Sequence, residues 1–239
     1  MNIKGNIKYN KNEFYFSVLT LENCYWAGYI AADGCIRHNP DKLQLVCSEK
    51  DNILLEKFKN SIKYTGPIRK VIRYKNTAKY KKQEYLESHL SINSKQIIKD
   101  LKYNFNITER KSLTLKPPNI TDFEQQLAYI IGYIDGDGSI CLCKAKSSKD
   151  LQINLSILGT YELLNWIYII LNNIENKKYK TLKLCKQNNI FRLRYVAIRA
   201  FKILKVLQKI NIPFKLQRKW DKINQIEKIK NENVRVNQY

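Results

Sequence analysis

The heptad GYIAADG at Gly28–Gly34 returns as GYIDGDG at Gly132–Gly138, an offset of 104 residues. Both copies are apolar, glycine-bounded and end in Asp-Gly. The likeness extends outward at the same offset, with YWAGYIAADGCI (Tyr25–Ile36) facing YIIGYIDGDGSI (Tyr129–Ile140). LQLVCS (Leu43–Ser48) faces LQINLS (Leu151–Ser156), and ERKS (Glu109–Ser112) faces QRKW (Gln217–Trp220), both at offset 108. Collinear matches at a near-constant offset mark a tandem duplication, which restricts a chain of 239 residues to two copies of one unit. The Pro-containing LKPPNITD (Leu115–Asp122) reads as the linker. The organisation expected is an N-terminal extension at 1–19, a first repeat at 20–114, a linker at 115–122 and a second repeat at 123–239.

Each copy reads helix-strand-strand-helix-strand-strand-helix, an α+β pattern. The heptad closes a helix that starts near Thr20 in the first copy. In the second copy Thr121-x-x-Glu124 predicts a capping box. Gly34 and Gly138 are placed to end these helices. Strands are expected at 35–39, 43–48, 67–75 and 84–92, and again at 140–146, 151–157, 180–186 and 190–197. Asp51 and Thr160 are the expected N-caps of the amphipathic helices between the strand pairs. Closing helices are expected at 94–104 and 199–209, with a last helix after Lys215.

Within the heptads, Gly28 and Ala32 share a helix face, as do Gly132 and Gly136. Small residues at i and i+4 let two helix backbones approach closely. Asp33 and Asp137 then fall at helix C-termini, where the dipole disfavours a carboxylate. If the two helices pack together, the acids also repel each other. One Asp-Gly at a helix end is an ordinary turn. Two matched ones at packed helix ends call for compensation, and a divalent cation with carboxylate, water and phosphate ligands supplies it. The fitting chemistry is metal-assisted phosphodiester hydrolysis.

Charge points the same way. Against 21 Asp and Glu stand 43 Lys and Arg, a net +22, which favours a polyanionic partner. The basic residues are spread along the chain, which reads against a membrane surface. No apolar run is long enough to span a bilayer, and the N-terminus has no signal-type apolar core, so a soluble, unexported protein is expected. The six cysteines lack zinc spacing and read as reduced thiols. The abundance of Asn, Lys, Ile and Tyr points to AT-rich codons, as in a mitochondrion, a chloroplast, a phage or a low-GC bacterium.

GYIAADG and GYIDGDG resemble the LAGLIDADG motif of homing endonucleases, and the two-motif chain is similar to the single-chain, pseudo-symmetric branch of that family, over roughly residues 20–230. The resemblance implies an αββαββα core per half. The two motif helices would pack at the centre, and two antiparallel four-stranded sheets would form a saddle on double-stranded DNA. It implies a site-specific endonuclease acting as a monomer. Both strands of a long asymmetric target would be cut with Mg²⁺ (or Mn²⁺), leaving staggered ends. The last acid of each motif, Asp33 and Asp137, would bind the metal. Lys111 and Lys219 would lie near the scissile phosphates; the alternatives are a non-specific contact to the DNA backbone or a solvated helix start. Glu49 would stand near the attacking water, while Leu158-Gly159 aligns there in the second copy without such a group. The inner motif acid, Asp135, is Ala31 in the first copy. The half-sites are therefore expected to be unequal.

For the sheet faces, strand alternation puts Arg69, Arg73 and Lys75 on one side with Val71, and Arg192 and Arg194 opposite Phe191, Leu193 and Tyr195. Gln44 is matched with Gln152, with Asn154 two residues on. Lys144 and Lys146 are expected to continue the polar face, and Arg37 and Lys183 to add to it. Arg and Lys can read guanine edges, and Gln and Asn adenine edges, while others touch only phosphates. Tyr29 and Tyr133 read as core residues with bonded hydroxyls. His38 and His89 have no counterparts and receive no catalytic role. The alternative function is a nucleic-acid-binding protein without cleavage, either a helper of intron RNA splicing or a DNA-binding regulator. An intein is disfavoured, since neither end carries splice-junction residues. An intron-encoded or free-standing protein fits better.

Overall fold

A computed structural model describes residues 9–38, 40–75, 83–144, 151–174, 185–187 and 190–236. The first half contains α1 (Leu21–Asp33), β1 (Cys35–Arg37), β2 (Lys42–Ser48), α2 (Asn52–Ser61), β3 (Ile68–Lys75), β4 (Gln83–Asn93), α3 (Lys95–Phe105) and the single turn α4 (Lys111–Thr114). The second contains α5 (Phe123–Asp137), β5 (Gly138–Lys144), β6 (Leu151–Gly159), α6 (Tyr161–Asn173), β7 (Cys185–Gln187), β8 (Ile190–Val196), α7 (Ala197–Lys209) and α8 (Gln217–Val236). Each half forms one antiparallel four-stranded sheet, in the orders β1-β2-β4-β3 and β5-β6-β8-β7. The expected grammar of the two copies is therefore present. Among the described residues no helix is long and apolar enough to cross a membrane.

The motif helices lie at the centre. In α1 every residue from Asn23 to Ala32 is buried, and in α5 every residue from Leu127 to Asp135. Helices apolar on all sides belong inside a protein, and these pack on each other. The contact is reciprocal at two glycines. A Cβ on Gly28 would stand 1.9 Å from the Tyr129 carbonyl oxygen, and one on Gly132 would stand 1.9 Å from that of Tyr25. Only glycine permits this approach. Leu43, Leu45, Leu90 and Ile92 of the first sheet and Ile153, Leu155, Ile157, Leu193 and Tyr195 of the second close the core beneath the outer helices.

The caps differ in part from expectation. Thr20 caps α1 reciprocally with Asn23: the Thr20 hydroxyl accepts from the Asn23 N–H at 3.2 Å, and the Asn23 side-chain oxygen accepts from the Thr20 N–H at 2.7 Å. In the second copy the cap is Asp122, which accepts from the Gln125 N–H at 2.8 Å, and not Thr121. A carboxylate is the stronger acceptor at the positive end of a helix. Asp51 stands at the expected N-cap position of α2, but its side chain makes no capping hydrogen bond. A 3-10 turn at Glu49–Asp51 leads into that helix, and the Asp51 carboxylate is engaged elsewhere. Thr160 caps α6 as expected.

Sheet register corrects the offset. Cys35 pairs with Gln44, and its counterpart Ser139 pairs with Ser156, so Gln44 corresponds to Ser156 and not to Gln152. The β5–β6 hairpin is longer, which moves the true offset to 112 at this point. The sequence likeness at 108 came from shared apolar alternation, which a slip by an even number of residues preserves.

Candidate active site

Because α1 and α5 cross at Gly28 and Gly132, their C-termini end side by side. Gly34 and Gly138 close the helices by donating to the carbonyls of Ile30 and Ile134, which leaves Asp33 and Asp137 as the last helical residues. Gly136 lies against Ala32 and the Asp33 carboxyl, so a side chain there would collide. Both acids are open to solvent on one side and crowded on the other. The Asp33 carboxyl is raised to about 6, first by desolvation and then by the charge of Asp137, against the pull of Lys219 and Lys111. Asp137 is also raised by desolvation, opposed by Lys111, Lys219 and the Tyr133 hydroxyl.

Lys111 and Lys219 are both buried, and their amino groups are spent on backbone. The Lys219 Nζ donates to the carbonyls of Ile134 (2.9 Å), Asp135 (2.6 Å), Gly136 (3.1 Å) and Gly138 (2.7 Å). The Lys111 Nζ donates to Ala31 (2.7 Å) and Ala32. Each lysine thus caps the negative end of a motif helix, where a cation is favoured. The pairing with the acids is crossed: Lys219 acts more strongly than Lys111 on Asp33, and Lys111 more strongly than Lys219 on Asp137. Part of the compensation expected from a metal is therefore built into the protein.

Glu49 is held by Lys70 (2.6 Å) and by the Ser88 hydroxyl (2.5 Å), which together lower its pKa. Both of its oxygens are engaged by these two partners. The charge that reaches Asp33 from this turn belongs to Asp51, which takes a two-point bond from Arg218 at 2.8 and 2.6 Å. That bridge joins the first copy to α8 of the second. It went unread in the sequence, although Arg218 sits inside the repeated Arg-Lys match. Beside Asp137 the arrangement is open: a cavity is lined by Ala31, Lys111, Ser112, Tyr133, Asp137 and Gly159.

The sheets turn one face to the core and leave the other open. The open face of the first carries Arg37, Gln44, Arg69, Val71 and Arg73, with Glu87 and His89 of β4 between them. Lys75 ends β3 opposite Gln83, its side chain outside the described residues. The open face of the second carries Gln152, Ser156, Arg192 and Arg194, while Asn154 on the same side is buried and is not free to read a base as expected. Lys144 does not continue that face. It follows Ile140 and Leu142 in alternation and projects from the core-side face past the end of the core. Lys146 and Lys183 lie outside the described residues. Among the described residues no group of three or more His, Cys, Asp or Glu could hold a metal ion, so a cation here would rest on the two carboxylates with water and phosphate.

Residues 20–106 match the model of the LAGLIDADG-like domain. The LAGLIDADG meganuclease I-CpaMI, solved bound to uncleaved DNA, superposes with a TM-score of 0.54 at 15% identity, over 90% of this chain and 94% of that one. I-AabMI, also bound to uncleaved DNA, gives 0.53 at 14% over 87% and 91%. The I-LtrWI homing endonuclease bound to target DNA gives 0.52 at 12% over 92% of each. The chain has the LAGLIDADG fold. Comparison with curated proteins finds no match.

The two LAGLIDADG motifs differ at their inner acid, and the structure shows what that acid does. Asp135 is buried and accepts from the Tyr25 hydroxyl (2.9 Å), the Leu216 N–H (2.9 Å) and the Trp220 indole N–H (2.7 Å). It fastens the start of α8 to α5 and so sets Lys219 in place. In the first motif Ala31 holds the matching position. The counterpart of Tyr25 is Tyr129, whose buried hydroxyl has no hydrogen-bond partner. The second motif is braced on all sides, whereas the first has lost its brace.

Proposed function

We propose that this chain is a site-specific DNA endonuclease, monomeric in action, that hydrolyses a phosphodiester bond in each strand of a long asymmetric target and leaves staggered ends. One observation carries the reading: Asp33 and Asp137 end two reciprocally packed helices, between two sheets whose open faces are rich in Arg and polar residues. Paired carboxylates whose charge is disfavoured by burial suit a divalent ion, and their all-oxygen chemistry suits Mg²⁺ or Mn²⁺. Asp33 and Asp137 would hold it. When bound, such an ion polarises the phosphate and lowers the pKa of its water. The chain's own residues do the rest. Lys111 and Lys219 fix the helix ends and oppose the rise in both acids' pKa. The open-face Arg and Gln residues orient the duplex and contact base edges and phosphates.

The DNA-bound state of the structural neighbours supports double-stranded DNA as partner. A second reading, binding to DNA or intron RNA without cleavage, draws on Glu49 and on both lysines being committed to partners inside the protein. The deciding experiment is cleavage of a randomised duplex library with Mg²⁺, using the native chain beside Asp33→Asn and Asp137→Asn. Staggered cuts that need both acids are the expected result. Tight, salt-dependent binding without cuts would establish the second reading instead.

A further inference from the structure

Among the described side chains on the two open sheet faces, one acid stands: Glu87. Every strand neighbour on that face is basic, polar or apolar. A carboxylate on the polyanion-facing side of a +22 chain opposes general affinity. Its surroundings show what it gains. The Arg73 Nε donates to Glu87 Oε2 at 3.4 Å, and His89 Nε2 lies 2.8 Å from the same oxygen. The register explains the cluster: Glu87 faces Val71 across the pair, with Arg73 on its diagonal and His89 two residues along β4. Glu87 and His89 are the more covered, at 21% and 13% side-chain exposure, while Arg73 extends outward at 55%. The bond uses the inner edge of the guanidinium. The contact engages Nε alone, which leaves the Nη groups of this outward-extending side chain for a partner such as guanine O6 and N7.

We propose that Glu87 is a specificity-determining residue: it holds Arg73 in one orientation so that this arginine reads a single guanine in the first half-site instead of gripping phosphate. Among the described residues the second sheet carries no such device: the residue in the register place of Glu87 is Ile190. The inference rests on the sequence-specific DNA reading above and adds to it the residue that enforces specificity on one side.

The test is selection of bound duplexes from a randomised DNA library without divalent metal, so that binding is read apart from cleavage. Native chain, Glu87→Gln and Arg73→Lys are compared. Glu87→Gln keeps shape and removes charge at a sheet surface, and an unchanged melting temperature establishes that it folds. Both variants are expected to lose preference for guanine at the same base pair, by roughly 5- to 150-fold, the discrimination a bidentate arginine–guanine pair carries. Glu87→Gln should also bind unrelated DNA more tightly, with a salt slope steeper by about 0.9 as the released arginine takes a phosphate. A Glu87→Gln variant that keeps the native preference at every position overturns the proposal. So does one that loses preference at a pair other than the one Arg73 reads. A native chain with no preference anywhere refutes the site-specific reading itself, and is told apart because no position then has anything to lose.

Discussion

Tyr25 and Tyr129 are counterparts in the two motif helices, both fully buried, and removing their hydroxyls should have opposite effects. The Tyr25 hydroxyl donates to the Asp135 carboxylate at 2.9 Å. A buried hydrogen bond to a charged group contributes about 1.5–3 kcal/mol. Tyr25→Phe removes it, and Asp135 keeps two donors, so a loss of about 2 kcal/mol is expected. The Tyr129 hydroxyl is buried without a partner because Ala31 replaces the acid. An unsatisfied buried polar group costs about 1–3 kcal/mol, and Phe has the same shape without it. Tyr129→Phe should therefore be neutral or stabilise by up to about 1 kcal/mol. The gap of about 2–3 kcal/mol is large against the error of urea denaturation, provided both variants keep the native m-value. Similar shifts of the same sign in the two variants would refute the argument that Asp135 and Ala31 differ in what they do for the opposite helix.

Gly28→Ala or Gly132→Ala should prevent close packing of the motif helices, since each new Cβ meets a carbonyl oxygen at 1.9 Å; the check is loss of cooperative melting. Lys219→Met should destabilise more than Lys111→Met, because four carbonyls lose their donor in one and two in the other; denaturation midpoints decide it. Mg²⁺ should raise the melting temperature of the native chain at pH 7 and leave the Asp33→Asn, Asp137→Asn double variant unmoved, as binding only to the native state requires. An equal shift in both would place the ion elsewhere.

The duplication, the motif helices, their glycine interface and their terminal acids were legible because they obey local rules: helix periodicity, small residues at i and i+4, and Asp-Gly stops. The strand register was not. Alternation in LQLVCS and LQINLS has period two, so matching them at 108 instead of 112 keeps every apolar residue inward and leaves no local conflict to reveal the slip. Lys144 was misplaced for a related reason, since a lysine beyond the core edge is exposed on either face. The roles of Lys111 and Lys219 depend on where their chains end relative to helices some 80 residues earlier, which no local pattern encodes. Asp135 was set aside because it is not the last acid of its motif. Its three donors come from Tyr25, Leu216 and Trp220, which are distant in the chain.

The acids should make this fold weaker near neutral pH, and the sign can be worked from Asp33. Its folded pKa is raised to about 6 from 3.8, so folding favours the protonated form. Below the lower value the group is protonated in both states and contributes no penalty. As pH rises through about 6, the folded state must ionise a carboxyl that desolvation and Asp137 disfavour, and stability falls. Asp33→Asn removes that penalty. It should therefore be more stable than the native chain at pH 7, with the advantage fading between pH 6 and 4. Denaturation midpoints across that range read it directly. The lysines limit the penalty without cancelling it, which is consistent with acids kept for chemistry at a cost to the fold. An Asp33→Asn variant that is less stable at pH 7 would mean that partners welcome the carboxylate's charge, and one equally more stable at pH 4 would mean that its gain does not come from ionisation; either way the case for a cation there would lose its electrostatic basis.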